Sequence, residues 1–211
     1  MDKMLSKNRL KYLQSLKQKK YRQKYGHFLV EGEKSVLELL HSEFQVDEII
    51  AVPEWLENQR EKPDGILLTP AENHQLQKIS SFSSHSPVCA VVKTMDRHAS
   101  KDSGKWAIAL DGIKDPGNLG TIIRTADWYG IRTIVCSEDC VDFYNPKVIS
   151  STMGSFTRII PEYIDLVARL RDSPNIYACV MNGEDIREVA NHGEGIIVIG
   201  SESHGISKEV L

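Results

Sequence analysis

Two glycine-rich segments carry the residues most able to do chemistry. Asp111 to Arg124 follows the apolar run Trp106 to Leu110, and Gly200 to Ser207 follows Ile196 to Ile199. Short branched runs of this kind read as buried strands, and glycines at their ends let backbone approach a ligand closely. Open α/β sheets bind ligands outside the carboxyl ends of their strands. Each turn taken alone also reads as a simple chain reversal. Neither has the GxGxxG spacing or the GK[ST] ending of a phosphate loop, which disfavours a nucleotide-dependent small-molecule enzyme. Beyond the first turn, Ile122, Ile123, Ala126 and Tyr129 share one helical face, so Arg124 projects elsewhere and is available to a ligand.

A second constellation lies at the amino end. The net charge is −3, yet residues 1 to 27 hold nine of the 26 Lys and Arg against a single acid, Asp2. Lys7, Arg9, Lys11, Lys17, Lys19, Lys20, Arg22 and Lys24 alternate with Tyr12, Tyr21 and Tyr25. That mixture suits phosphate contacts combined with stacking on exposed bases, and it equally describes a solvated helix face.

Composition narrows the rest. At 211 residues and 41% hydrophobic, the chain can bury one large or two small cores. No apolar run approaches the roughly 18 residues of a membrane span, and no secretory signal is visible, so cytoplasm is the default compartment. Cys89, Cys136, Cys140 and Cys179 form no CxxC pair and are expected as buried free thiols. The histidines have no metal-ligand spacing, so no metal is expected.

The elements that must position these residues alternate in type. Leu5, Tyr12, Leu13 and Leu16 predict an amphipathic first helix. Strands at 28–30, 48–52, 66–68 and 88–92 and a helix at 33–41 make a small α/β unit. Thr69, Pro70 and Glu72 read as a capping box that starts a helix at Pro70. Residues 94–104 lack periodicity and read as a linker between a domain at 1–93 and another at 105–211. The second domain alternates strands at 106–110, 131–136, 156–160, 176–180 and 196–199 with helices at 120–129, from Pro146, at 164–171 and at 184–190. This predicts a parallel sheet with helices on both faces. Ile206 to Leu211 looks like the opening of a further helix.

The ordered motifs resemble the SpoU, or TrmH-like, branch of the SPOUT RNA methyltransferases. The first family motif carries Asn, Gly and Arg as at Asn118, Gly120 and Arg124. The second is similar to Gly200 to Ser207, and Asn145 to Val148 followed by Ser151 to Gly154 resembles the stretch between them. Phe28 to Gly32 resembles a signature of the family's small, ribosomal-protein-like substrate-binding domain. The resemblance implies S-adenosylmethionine as donor, an RNA ribose 2′-hydroxyl as acceptor with ribosomal RNA preferred over transfer RNA, a C-terminal trefoil knot, and a homodimer with active sites near the subunit interface. The third family motif, an Ile-Pro strand and Ser-Leu-Asn helix that completes knot and donor pocket, is absent, and truncation of the chain is the expected reason.

By the same resemblance, Gly200 with Ile199, Ser201 and Met181 would contact the donor, and Arg124 would be the key catalytic residue with Asn118 and Glu202 beside it. Asn118 is equally placed to be a helix N-cap. Glu202 would orient active-site groups. Lys7, Arg9, Lys11, Lys147, Ser151 and Thr152 are candidates for RNA contact. The competing class is a non-catalytic dimeric RNA-binding protein whose methyltransferase domain is degenerate.

Overall fold

The structure is a computed structural model that describes residues 5–59, 65–83, 86–95, 106–171, 173, 175–185, 187–188 and 193–211. It divides into two units, Met1–Asp96 with Tyr144–Thr157, and Arg97–Phe143 with Arg158–Leu211. Most of the expected linker lies outside the described residues.

In the first unit the basic segment is two helices, not one. Helix α1 (Lys7–Ser15) starts at Ser6, whose hydroxyl accepts the Arg9 N–H, and α2 (Lys19–Tyr25) ends at Gly26, whose φ of 64° needs no Cβ. Arg22 is buried at the break between them, donating from Nη1 to the Leu16 and Lys17 carbonyls at 3.0 and 2.8 Å. An expected basic surface residue thus satisfies carbonyls that the end of α1 leaves free.

Strand β1 (His27–Glu31), helix α3 (Glu33–Leu40), β2 (Val46–Ala51), α4 (Pro53–Glu57), β3 (Leu67–Pro70), α5 (Asn73–Ile79) and β4 (Val88–Lys93) follow. The sheet order is β1-β4-β2-β3, with β4 antiparallel to both neighbours and β3 parallel to β2. The capping box expected at Thr69 sits three residues later. Pro70 closes the edge strand β3, where a missing N–H is tolerated. The Thr69 hydroxyl donates to Glu48 Oε1 at 2.6 Å, while Glu72 and Gln75 cap α5 reciprocally.

The second unit opens with β5 (Ala107–Asp111), α6 (Pro116–Trp128) and β6 (Thr133–Cys136). The chain then contributes α7 (Pro146–Ser151), N-capped by Asn145, to the first unit. The strand expected at 156–160 does not form. Phe156 lies instead in a 3₁₀ turn, fully buried with its ring centroid 6.5 Å from Phe28 and 5.9 Å from Phe44. An apolar run that reads as a strand has been recruited into another core.

Back in the second unit, β7 (Glu162–Tyr163), α8 (Leu166–Arg171), β8 (Ile176–Ala178) and β9 (Ile196–Gly200) complete the order β7-β6-β5-β9-β8, parallel throughout. Ala107, Ala109, Val135 and Val198 pack with Leu166 and Leu170 of α8 and with Ile206. The helix expected at 184–190 lies partly outside the described residues, and Arg187 and Glu188 are in a turn. The helix expected from Ile206 is a single turn closed on the Ser207 carbonyl. Cys89, Cys136 and Cys140 are buried free thiols, but Cys179, expected inside a strand, is exposed beyond the end of β8.

Candidate active site

The sheet reverses its winding between β5 and β9, and loops at such a switch point face each other outside the carboxyl ends of the strands. Asp111 pairs with Gly200 at the last rung, so the two glycine-rich segments emerge side by side.

Each segment has a local reason for its shape. Asp115 is the N-cap of α6: its carboxylate accepts the Asn118 N–H at 2.8 Å, and Pro116 takes the first helical position. The N-cap role open to Asn118 is therefore filled by Asp115. The Asn118 side chain is released to donate from Nδ2 to Glu202 Oε1 at 2.8 Å, joining residues 84 apart in sequence.

The segment after β9 is a closed loop. Ser201 and Gly205 exchange both backbone hydrogen bonds, at 3.0 and 2.9 Å, with Gly205 at a φ of 69°. A Cβ on Gly200 would lie 2.1 Å from the Gly205 carbonyl carbon. Gly200 is thus required by its own loop before any ligand is considered. The Ser207 N–H donates to Asp111 Oδ2 at 2.6 Å and ties the loop's far end to β5.

Between the segments lies a cleft of about 290 Å³ whose walls include Asp111, Lys114, Asp139, Ser201, His204 and Ser207. Lys114 bonds Asp139 across it, and that ammonium, with the Ser137 hydroxyl, holds the Asp139 carboxyl below its ordinary range. Beneath it the Cys140 thiol is pulled down to about 6, chiefly by a hydrogen bond from Cys136, then by Ser137 and the Ile113 N–H. Cys136, which gives up that bond and is buried, is pushed up. Nothing in the sequence pattern singled out this pair, because its partners meet only in the folded loop.

Arg124 stands apart from Asn118 and Glu202. Six residues beyond Asn118 on α6, it projects from a different side of the helix. It is exposed and makes no hydrogen bond or ion pair among the described residues. Thr121, Thr125 and Trp128 share its face, and Trp128 and the following Tyr129 are 86% and 75% exposed. The residues expected at a donor converge better. The β8–β9 register pairs Ala178 with Val198 and is continued by the Cys179 N–H bond to the Val198 carbonyl, so Val180 and Met181 follow directly on the paired end of β8 as Ile199, Gly200 and Ser201 follow Val198. Met181 is fully exposed and Val180 half so.

Profile comparison places residues 105–211 in the SpoU rRNA Methylase family and residues 7–90 in the MRM3-like substrate binding domain. The chain belongs to the SpoU rRNA methylase family. It is an RNA methyltransferase with an α/β fold of the TrmH kind. A TrmH-family structure from Porphyromonas gingivalis superposes with a TM-score of 0.84 at 32% identity, covering 99% of this chain and 85% of that one. The AdoMet-bound rRNA methyltransferase from Sinorhizobium meliloti gives 0.80 at 25% identity over 99% and 84%. In sequence the chain is 27% identical to the 23S rRNA (guanosine(2553)-2′-O)-methyltransferase RlmP of Bacillus subtilis, over 96% of this chain and 83% of that protein.

The RNA-contact candidates in the first unit separate into two groups. Lys7, Lys11 and Lys147 are exposed, and Ser151 is partly buried on α7. Arg9 is engaged internally: its guanidinium binds Glu48, which is 3% exposed, and its Cζ lies 4.4 Å from the centroid of the Tyr12 ring. Lys17 donates to the Lys78 and Ser80 carbonyls. Thr152 is fully buried and donates to the Ile149 carbonyl at 2.6 Å, so it is a helix-end group and not a surface contact.

Proposed function

We propose that the chain transfers a methyl group to a ribose 2′-hydroxyl of RNA, with ribosomal RNA as the preferred class. The observation that carries the reading is the Asn118–Glu202 bond, which joins the two family motifs at the sheet's switch point. The names of the relatives support the acceptor chemistry and the donor, S-adenosylmethionine. When bound, that donor supplies an electrophilic methyl on a sulfonium. The residues present fit it: Val180 and Met181 are exposed apolar side chains just beyond the end of β8 that pairs with β9, and Gly200 keeps the β9 end free of side chain. Those residues and Ser201 would hold it.

The remaining work falls to this chain's own groups. Displacement at carbon requires hydroxyl oxygen, methyl and sulfur in line, so positioning dominates. Asn118 fixes Glu202 through Oε1, leaving Oε2 to accept a hydrogen bond from a ribose hydroxyl. A guanidinium keeps its proton in proteins, so Arg124 acts as a fixed cation for a phosphate or the developing oxyanion and not as a base.

The separation of Arg124 from Asn118 on α6 supports a homodimer in which this helix face meets a second copy. The exposed Trp128, one turn beyond Arg124, gives that face its apolar area. Four free cysteines support a reducing, cytoplasmic setting. The test is incubation of the chain with methyl-labelled S-adenosylmethionine and unmodified cellular RNA, followed by digestion to nucleosides. Label in a 2′-O-methylated nucleoside is expected. RNA binding without label would return the chain to the non-catalytic class.

A further inference from the structure

Engagement of Arg9, Lys17 and Arg22 within the first unit leaves a smaller set of free cations, and these are arranged on rings. Tyr21 and Tyr25, one turn apart on α2, lie nearly parallel, with centroids 6.2 Å apart and an interplanar angle of 11°. Tyr25 meets the Tyr12 ring edge-on at 5.1 Å, and Tyr12 in turn meets His27 at 6.4 Å. The four rings form a continuous ladder from α2 across α1 to β1. Lys20 Nζ lies 4.8 Å from the Tyr21 centroid and Lys24 Nζ 5.5 Å from that of Tyr25. Neither ammonium has a carboxylate partner among the described residues.

We infer that Tyr21 and Tyr25, flanked by Lys20 and Lys24, form a stacking platform for unpaired RNA bases. The inference rests on the reading that the chain acts on RNA. Three features point to this occupant. Parallel rings present π-faces that any base can cover, whereas a duplex hides its base faces within the stack. An exposed ammonium on a tyrosine is held only weakly, so an arriving base can displace it. The displaced ammonium remains beside the site, where it can neutralise the phosphate that the base brings. A purely structural ladder would have no use for two unpaired lysines on its ring faces. Tyr12 anchors the platform: it is partly buried, and burial pushes its hydroxyl up.

The test is equilibrium binding of the full chain to a fluorescently labelled single-stranded RNA of mixed sequence and to the matching duplex, over a salt series. Single-strand preference is expected. Tyr21→Ala and Tyr25→Ala each weaken single-strand binding, roughly 5- to 150-fold for each base unstacked, while Tyr→Phe at both positions restores it. Lys20→Ala with Lys24→Ala flattens the salt slope by about 1.4, whereas the tyrosine changes leave the slope intact. Circular dichroism melts confirm that the variants are folded. Single-strand binding within twofold of the parent in the tyrosine variants, or a preference for duplex, overturns the platform. Methyl transfer measured in parallel separates the two ideas. A parent chain that methylates RNA through unaffected tyrosine variants loses only the platform, and a parent that binds no RNA loses both.

Discussion

Asn118 donates its side-chain amide to the Glu202 carboxylate at 2.8 Å, a bond between the first turn of α6 and the tip of the loop after β9. It exists because Asp115, and not Asn118, caps the helix. The two side chains act as one unit, so their contributions to methyl transfer are expected to be non-additive. Asn118→Ala and Glu202→Ala should each reduce kcat/KM, and the double variant should be little worse than either. A coupling energy of about 0.5–3 kcal/mol from the cycle is expected. Additive losses would mean that the bond is incidental.

Arg124 is exposed and unpaired among the described residues, so its removal leaves no buried group unsatisfied. Arg124→Ala should leave the melting temperature unchanged and lower kcat/KM by about 10²–10³, the cost of losing one preorganised electrostatic contact. Donor affinity, measured by calorimetry, should be retained. Arg124→Lys should recover part of the rate, since it restores charge but not the two-pronged geometry of guanidinium.

The first sheet, four of the five strands of the second and the motif positions were legible in sequence because their signals are local: branched apolar runs, turn glycines and the spacing from Asn118 to Arg124. What was not legible depends on distant partners. Arg9 reads as a surface cation until Glu48, 39 positions away, is seen buried against it. Phe156 reads as a strand residue until Phe28 and Phe44 claim it. Thr69 reads as an N-cap until its hydroxyl is found on the same Glu48. The Arg9 and Thr69 misreadings both lead to one buried carboxylate, whose demand for donors overrode local propensity.

That carboxylate makes a stability prediction. Arg9→Ala would leave Glu48, 3% exposed, with the Thr69 hydroxyl as its remaining side-chain donor among the described residues. Glu48 is buried but Arg9 is 37% exposed, so water can partly take the guanidinium's place and its removal costs about 1–3 kcal/mol. Urea melts should show that loss for Arg9→Ala, and no measurable loss for Lys7→Ala or Lys11→Ala, which are exposed. Weaker RNA binding by Arg9→Ala would then trace to the fold of the first unit.

Gly200→Ala drives a Cβ to within 2.1 Å of the Gly205 backbone, where no flexible side chain can yield. The loop carrying Glu202 must move, at a cost of about 1–3 kcal/mol. The Asn118–Glu202 bond should be lost with it. Activity should therefore fall even if donor affinity, followed by calorimetry, is only modestly reduced. A fully active Gly200→Ala enzyme would contradict the closed loop.

Below the cleft, Cys140 Sγ accepts the buried Ile113 N–H at 3.2 Å, and its thiol is lowered to about 6 by Cys136, Ser137 and that N–H. A group whose folded pKa is depressed stabilises the fold above its ordinary pKa and loses that contribution as pH falls through the folded value. Cys136 is raised, and its opposite effect begins only above the ordinary thiol range near 8.5. Stability should therefore rise between about pH 6 and 8.5 in the parent chain and stay flatter in Cys140→Ser, which does not titrate there. Cys140→Ser preserves an acceptor for Ile113, whereas Cys140→Ala orphans a buried N–H at a cost of about 1–3 kcal/mol. Urea melts across this pH range, paired with thiolate ultraviolet absorbance of the parent and the serine variant, separate the two effects: the alanine penalty should persist at every pH, and the thiolate contribution should vanish at the acid end.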